Sequence, residues 1–188
     1  MLVPGLLSHA AMSAVDHIRI RQALIDDLRE VQTIACSTYI EHFAHAWSEI
    51  GLQSFLQREF SDEALRASLS SPAHAWFLLE AGDEGVVGYA KVNWSRIEPI
   101  TGRSGAELQK IYFSANTTGR GFGTALLTHA VAAATAKGEL MLWLNVLRSN
   151  ADARRFYATH GFETAGQMPF RTDLGEEIGM WAMIRHLG

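Results

Sequence analysis

Thr118-Gly119-Arg120-Gly121-Phe122-Gly123-Thr124 is the segment whose residue types point most directly to chemistry. It lies between a strand-like run, Leu108 to Phe113, and a helix-like run that continues to Lys137. A glycine-rich turn that opens a helix presents unpaired backbone N–H groups and the positive end of the helix dipole. Glycine also lets the backbone approach a phosphate with no Cβ in the way. The segment therefore suits a phosphorylated ligand. On these residues alone, a tight strand-to-helix connection stays open as the alternative.

Two familiar phosphate motifs are excluded. A P-loop needs Lys and then Ser or Thr after its last glycine, and here Thr124-Ala125 follows. A dinucleotide fingerprint needs G-x-G-x-x-G, but the third position after Gly121-x-Gly123 is Leu126. The other reactive residue types are sparse. His42 and His45 stand three apart in a helical pattern, and two histidines alone do not make a metal site. Cys36 is the single cysteine, so neither a disulfide framework nor a cysteine zinc site can be built, and a reducing compartment is expected. Cys36 has apolar helical neighbours and reads as a small core hydrophobe. Trp47, Trp76, Trp94 and Trp143 read as core residues.

The elements that must position these groups follow from periodicity. His17 to Arg21 alternates as a strand. Leu24, Leu28, Val31, Ala35, Tyr39 and His42 recur at helical spacing after Asp26 and Asp27. A second helical region, broken around Gly51, runs from about Ser48 to Phe60, and a short helix from Ser61 to Leu69. Ala75 to Glu80 and Val86 to Trp94 form a hairpin around Gly82-Asp-Glu-Gly85. Arg96 to Gly105 reads as a loop and Glu107 to Phe113 as a strand. A helix from Gly121 to Lys137 stops at Gly138. Leu140 to Val146 is a near-continuous apolar run, as in a strand covered on both faces. Asn150 opens a helix that carries Phe156, Tyr157 and His160 and stops at Gly161. Phe162 to Gln167 and Ile178 to Ile184 are closing strands around Thr172-Asp-Leu-Gly-Glu-Glu177. The order is that of a mixed α/β single domain.

The 188 residues suffice for one core. With 48% hydrophobic and 19% charged residues, the chain reads as soluble and globular. A net charge of −4 without a basic stripe argues against a nucleic-acid partner and suits a cationic small substrate better. No apolar run approaches the roughly 20 residues of a membrane span. Residues 1–15 read as a loose extension lacking a signal-peptide pattern, with Met12 a candidate start, and residues 16–188 as the domain.

A second segment decides the reading. Asn150-Ala-Asp-Ala-Arg-Arg-Phe-Tyr-Ala-Thr-His-Gly-Phe162 follows the glycine turn in order and distance. Together they resemble the GNAT superfamily of acyl-CoA-dependent N-acetyltransferases. That family carries an R/Q-x-x-G-x-G/A turn between strand and helix, and later an N-x-x-A-x-x-F-Y-x-x-x-G-F helix. The second motif is matched nearly in full. The first departs only at its leading position, where Thr118 stands in place of Arg or Gln. The resemblance covers about Ile18 to Leu187.

It implies a single-domain GNAT fold: a mixed sheet of about seven strands, the fourth and fifth splayed apart, flanked by about four helices. It implies acetyl-CoA as cosubstrate, no metal and a cytoplasmic setting. Residues 118–124 (Thr118, Gly119, Arg120, Gly121, Phe122, Gly123, Thr124) would cradle the pyrophosphate. Ile111, Tyr112 and Phe113 would pair with the pantetheine arm like an added strand. A backbone N–H near Phe113 would serve as oxyanion donor, and Asn145 and Asn150 would be side-chain partners of the arm, Asn150 reading equally as a helix cap. By the same resemblance Tyr157 protonates the departing thiolate. Glu107 takes the general-base position, where many relatives use a water chain and where an exposed strand-end carboxylate is the other reading.

Tyr39, Glu41, His42 and Phe43 fall where the family's first helices overhang the acceptor. The N-terminal half resembles the bacterial polyamine (PaiA-like) branch, which implies a small polyamine-like amine as substrate. A protein N-terminus or lysine, or a non-catalytic acyl-CoA sensor, are the alternatives. Homodimers are common in the superfamily, and the residues carry no interface signal.

Overall fold

The computed structural model describes residues 18–117, 119–171 and 177–188. The expected N-terminal extension with Met12, the pyrophosphate candidate Thr118 and the turn at 172–176 lie outside the described residues.

Seven strands form one sheet in the order β1-β2-β3-β4-β5-β7-β6. They are β1 (Ile18–Gln22), β2 (His74–Ala81), β3 (Val86–Ile97), β4 (Ser104–Phe113), β5 (Met141–Leu147), β6 (Glu163–Arg171) and β7 (Glu177–His186). Every neighbouring pair is antiparallel except β4 and β5. Among the described residues the helices are α1 (Leu28–Phe43), α2 (Glu49–Phe60), α3 (Asp62–Leu69), α4 (Phe122–Ala136) and α5 (Ala151–Thr159). Ser61 ends α2 and caps α3, accepting from the Ala64 N–H, so the two act as one bent unit and four helical blocks flank the sheet.

Gly51 does not break the second helix. Ser48 caps it by accepting from the Gly51 N–H at 3.0 Å, and a glycine in the first turn costs little when a cap fixes that turn. The loop expected from Arg96 to Gly105 is shorter. The β3–β4 hairpin extends to Ile97 and Ser104, and Glu98 accepts from the Ile100 and Thr101 N–H groups to close it.

Strand alternation sorts the core into two layers. Phe77, Leu79, Ala90, Val92, Ala106, Leu108, Leu142, Leu144 and Val146 face Phe122, Leu126 and Ala130 of α4 and Tyr157 of α5. Trp76, Leu78 and Tyr89 face Val31, Ile34, Ala35 and Tyr39 of α1, with Phe60 and Leu65. Each such side chain contributes roughly 1.5–3 kcal/mol on burial, so both sheet faces hold their helices firmly.

The register then creates the site. β4 and β5 pair only at Ala106 with Leu142 and at Glu107 with Trp143. Beyond that pair the strands diverge. A second irregularity lies on β4 itself, where Lys91 pairs with Lys110 but Val92 pairs with Leu108. Gln109 is left over as an exposed bulge, so Leu108 and Lys110 point to opposite faces.

Candidate active site

The split between β4 and β5 leaves one edge of β4 without a partner strand. Ser114 N–H donates to the Val87 carbonyl at 3.0 Å. In an antiparallel ladder bonded and non-bonded pairs alternate. Phe113 opposite Gly88 and Ile111 opposite Ala90 are therefore non-bonded pairs, and their N–H and C=O groups turn toward the split. Tyr112, between them, bonds back to β3 and sends its side chain to the α1 face, where its ring meets Phe43 at 5.5 Å.

The glycine turn stands at the mouth of this split. Gly121 caps α4 in the left-handed region (φ 80°) and no side chain caps the helix, so the first N–H groups of α4 are left for a ligand. A Cβ on Gly123 would lie 3.3 Å from the Phe156 ring, so α5 packs directly on the turn. Arg120 stacks over Phe122 at 4.5 Å, and Glu84 forks it at 2.7 and 3.0 Å. Thr124 is engaged with α5. His160 Nδ1 lies 2.7 Å from the Phe156 carbonyl, so Nδ1 carries the proton. In the neutral ring Nε2 then accepts from the Thr124 hydroxyl at 3.1 Å.

Tyr157 projects from α5 into the α4-side core and is 9% exposed. Burial pushes its phenol above the ordinary value, so it stays protonated at neutral pH. Tyr112 is shifted the same way, by burial first and by Tyr157 second, which places the two phenols near one another at the split. Asn150 Oδ1 caps α5 by accepting from the Ala153 N–H at 3.0 Å, which leaves only its amide N–H groups for another partner.

Glu107 points to the opposite face, the α1–α2 side. Asn93 on β3 donates Nδ2 to Glu107 Oε2 at 2.8 Å. Trp143 flanks Glu107 on the other side, and Asn145 follows on the same face of β5. Nearer the mouth lie Lys91 and Lys110, both over nine-tenths buried. Burial first, and Lys110 second, bring Lys91 down to about 8. Lys110 Nζ reaches Glu59 of α2 at 3.5 Å, beside the rings of Phe55 and Phe60.

The residues expected to overhang the acceptor separate. His42 Nε2 donates to the Phe113 carbonyl at 3.2 Å, tying α1 to the free edge. Phe43 packs on Tyr112. Glu41 is exposed on α1. Tyr39 lies in the core, stacked on Phe55 at 4.1 Å, and burial raises its phenol to about 12. Sequence reasoning missed Asn93, Lys91 and Lys110, polar residues at inward positions of otherwise apolar strands, and Glu84, which no local pattern connects to Arg120. Among the described residues no group of three His, Cys, Asp or Glu could hold a metal, and no helix is long and apolar enough to cross a membrane.

Residues 28–162 match the model of the acetyltransferase (GNAT) family. Over 162 residues the chain is 31% identical to an uncharacterized N-acetyltransferase of Mycobacterium bovis, covering 86% of this chain and 98% of the relative. It is 28% identical over 149 residues to spermidine N(1)-acetyltransferase of Thermoplasma acidophilum, covering 78% and 88%. The crystal structure of PaiA N-acetyltransferase from Thermoplasma acidophilum in complex with coenzyme A superposes with a TM-score of 0.69 at 24% identity, covering 90% of this chain and 98% of that one. That likeness is one of fold.

Proposed function

The chain belongs to the acetyltransferase (GNAT) family, and from that premise we propose that it moves an acetyl group from acetyl-CoA to the primary amine of a small, polyamine-like acceptor by direct attack. The observation that carries this reading is the split between β4 and β5, which leaves the Ile111–Phe113 edge free beside an uncapped α4 N-terminus, with Tyr157 on one face of the sheet and Glu107 on the other.

These residues fit coenzyme A. The uncapped turn takes the pyrophosphate, with Arg120 beside it. The free edge takes the amide groups of the pantetheine arm as a strand would. Acetyl-CoA supplies the activated thioester. Glu107 receives the proton that the amine gives up, directly or through water, as its nitrogen bonds to the carbonyl carbon. A free β4 backbone N–H holds the developing oxyanion. As the C–S bond breaks, Tyr157 gives its proton to the thiolate, and a phenol held protonated by burial suits that step. The cytoplasm is the setting this cosubstrate and the half-buried free thiol of Cys36 favour. The polyamine class is supported by the spermidine-acetylating relative and by the exposed carboxylate of Glu41.

The test is mass spectrometry of amine pools incubated with acetyl-CoA. Spermidine, spermine or a diamine should gain one acetyl group, and Tyr157→Phe should slow turnover about a hundredfold with acetyl-CoA affinity unchanged. Acetyl-CoA binding without any product would make the chain an acyl-CoA sensor instead.

A further inference from the structure

Where α5 meets the glycine turn, one side-chain contact depends on a proton. His160 closes α5, and its ring reaches across to Thr124, the third residue of α4. Nε2 lies 3.1 Å from the Thr124 hydroxyl. Nδ1 lies 2.7 Å from the Phe156 carbonyl and 3.3 Å from the Thr159 hydroxyl. A carbonyl only accepts, so Nδ1 holds a proton whether the ring is neutral or charged. The difference between the two charge states therefore falls on Nε2, the atom that faces Thr124.

Thr124 belongs to the phosphate cradle. The Ala125 N–H returns to the Gly121 carbonyl at 3.1 Å, so the donors that α4 offers a ligand are those of Phe122, Gly123 and Thr124. A threonine hydroxyl has one proton and two lone pairs. With His160 neutral, Nε2 accepts that proton, and Thr124 turns only lone pairs toward a phosphate oxygen, which is itself an acceptor. With His160 charged, Nε2 donates to the Thr124 oxygen, and the hydroxyl proton is free for the phosphate. The charged ring also adds a cation beside the anion. Histidine changes charge between about pH 5 and pH 8. Among the described residues the ring packs on Phe156, with centroids 4.3 Å apart. The charged group against it is Arg185 of β7, which donates to the His160 carbonyl at 2.8 Å.

We propose that His160 is a positioning residue of the cosubstrate site: it sets the direction of the Thr124 hydroxyl, and the pyrophosphate of coenzyme A binds with uptake of a proton at Nε2. The assignment rests on the acetyl-transfer reading, through its cosubstrate. No covalent bond changes. The proton comes from solvent and returns to it when the cosubstrate leaves.

The experiment is calorimetric titration of the full chain with dephospho-coenzyme A. This probe keeps the pyrophosphate and lacks the 3′-phosphate monoester, which itself titrates near about pH 6. From pH 8 to pH 6 the wild-type dissociation constant should fall about three- to tenfold. Near pH 7, buffers of different ionisation enthalpy should reveal net proton uptake on binding. His160→Gln cannot take up the proton, and its dissociation constant should change by less than about twofold over the same range. Thr124→Val, at an exposed position, should lose the dependence with its circular dichroism intact, and it decides the matter if His160→Gln does not fold. A wild-type affinity that ignores pH, or a dependence that survives in His160→Gln, would overturn the role. A dependence undiminished in Thr124→Val would mean that the ring acts by charge alone and would overturn the hydroxyl step. Binding that is tight but independent of pH would leave the cosubstrate reading standing and remove this role alone. No binding at either pH would overturn the cosubstrate reading itself.

Discussion

Lys91 and Glu107 lie on the same sheet face at different cost. Lys91 is held near neutrality, its ammonium brought from 10.5 down to about 8 by burial and by Lys110 opposite. A lysine whose folded value lies below its unfolded value destabilises the fold fully below the folded value, and the penalty fades as pH rises toward the unfolded one. The displacement corresponds to roughly 3 kcal/mol before solvent screening. Lys91→Met should accordingly be about 1–3 kcal/mol more stable than wild type at pH 7, with the gap closing between about pH 8 and pH 10.5. Urea denaturation at several pH values measures this, and a gap that stays constant with pH would refute the account. Such a costly residue on the same sheet face as Glu107 is what a functional site looks like in energetic terms. It was not legible from sequence, because Lys91 sits in a strand where an outward lysine is the ordinary expectation. The Gln109 bulge and the closeness of Lys110 decide otherwise.

At the scale of elements, the glycine turn depends on α5 as much as on its own sequence. Gly121 supplies the left-handed residue that starts α4, and Gly123 lets the Phe156 ring close on the first turn. Gly123→Val should push Phe156 away and raise the coenzyme A dissociation constant at least about tenfold, the turn's backbone donors being displaced. Circular dichroism should show the helices intact. Calorimetric titration checks the affinity, and wild-type affinity would remove this turn from the phosphate site. The turn, its helix and the Asn150-to-Phe162 helix were all legible in advance, because each is written in local signals: positive-φ glycines, a cap and a helical stripe. The links between them were not. His160 bonded to Thr124, Glu84 bonded to Arg120 and His42 bonded to the Phe113 carbonyl join residues 36, 36 and 71 positions apart, which only packing brings together.

For the whole molecule, the sheet is two halves that meet through the Ala106–Leu142 and Glu107–Trp143 pairs and are bridged by α4. A ligand laid along the β4 edge adds the missing strand contacts. Coenzyme A at a hundred times its dissociation constant should stabilise the fold by about 2.7 kcal/mol and raise the melting temperature by roughly 5–11 °C. The Ile111 and Phe113 amides, which face the split, should gain hydrogen-exchange protection while that of Tyr112, bonded to β3, changes little. Equal protection at all three would mean that the arm does not pair with this edge.

The sequence by itself determined the α/β order, most helix caps and turns, and the two motifs that assign the family, because these depend on residues close together in the chain. Only the tertiary structure decided that β4 and β5 part after the Glu107–Trp143 pair, that a bulge turns Lys110 inward, and that Asn93 and Trp143 flank Glu107. Strand register and the satisfaction of buried polar groups are set by packing between segments distant in sequence.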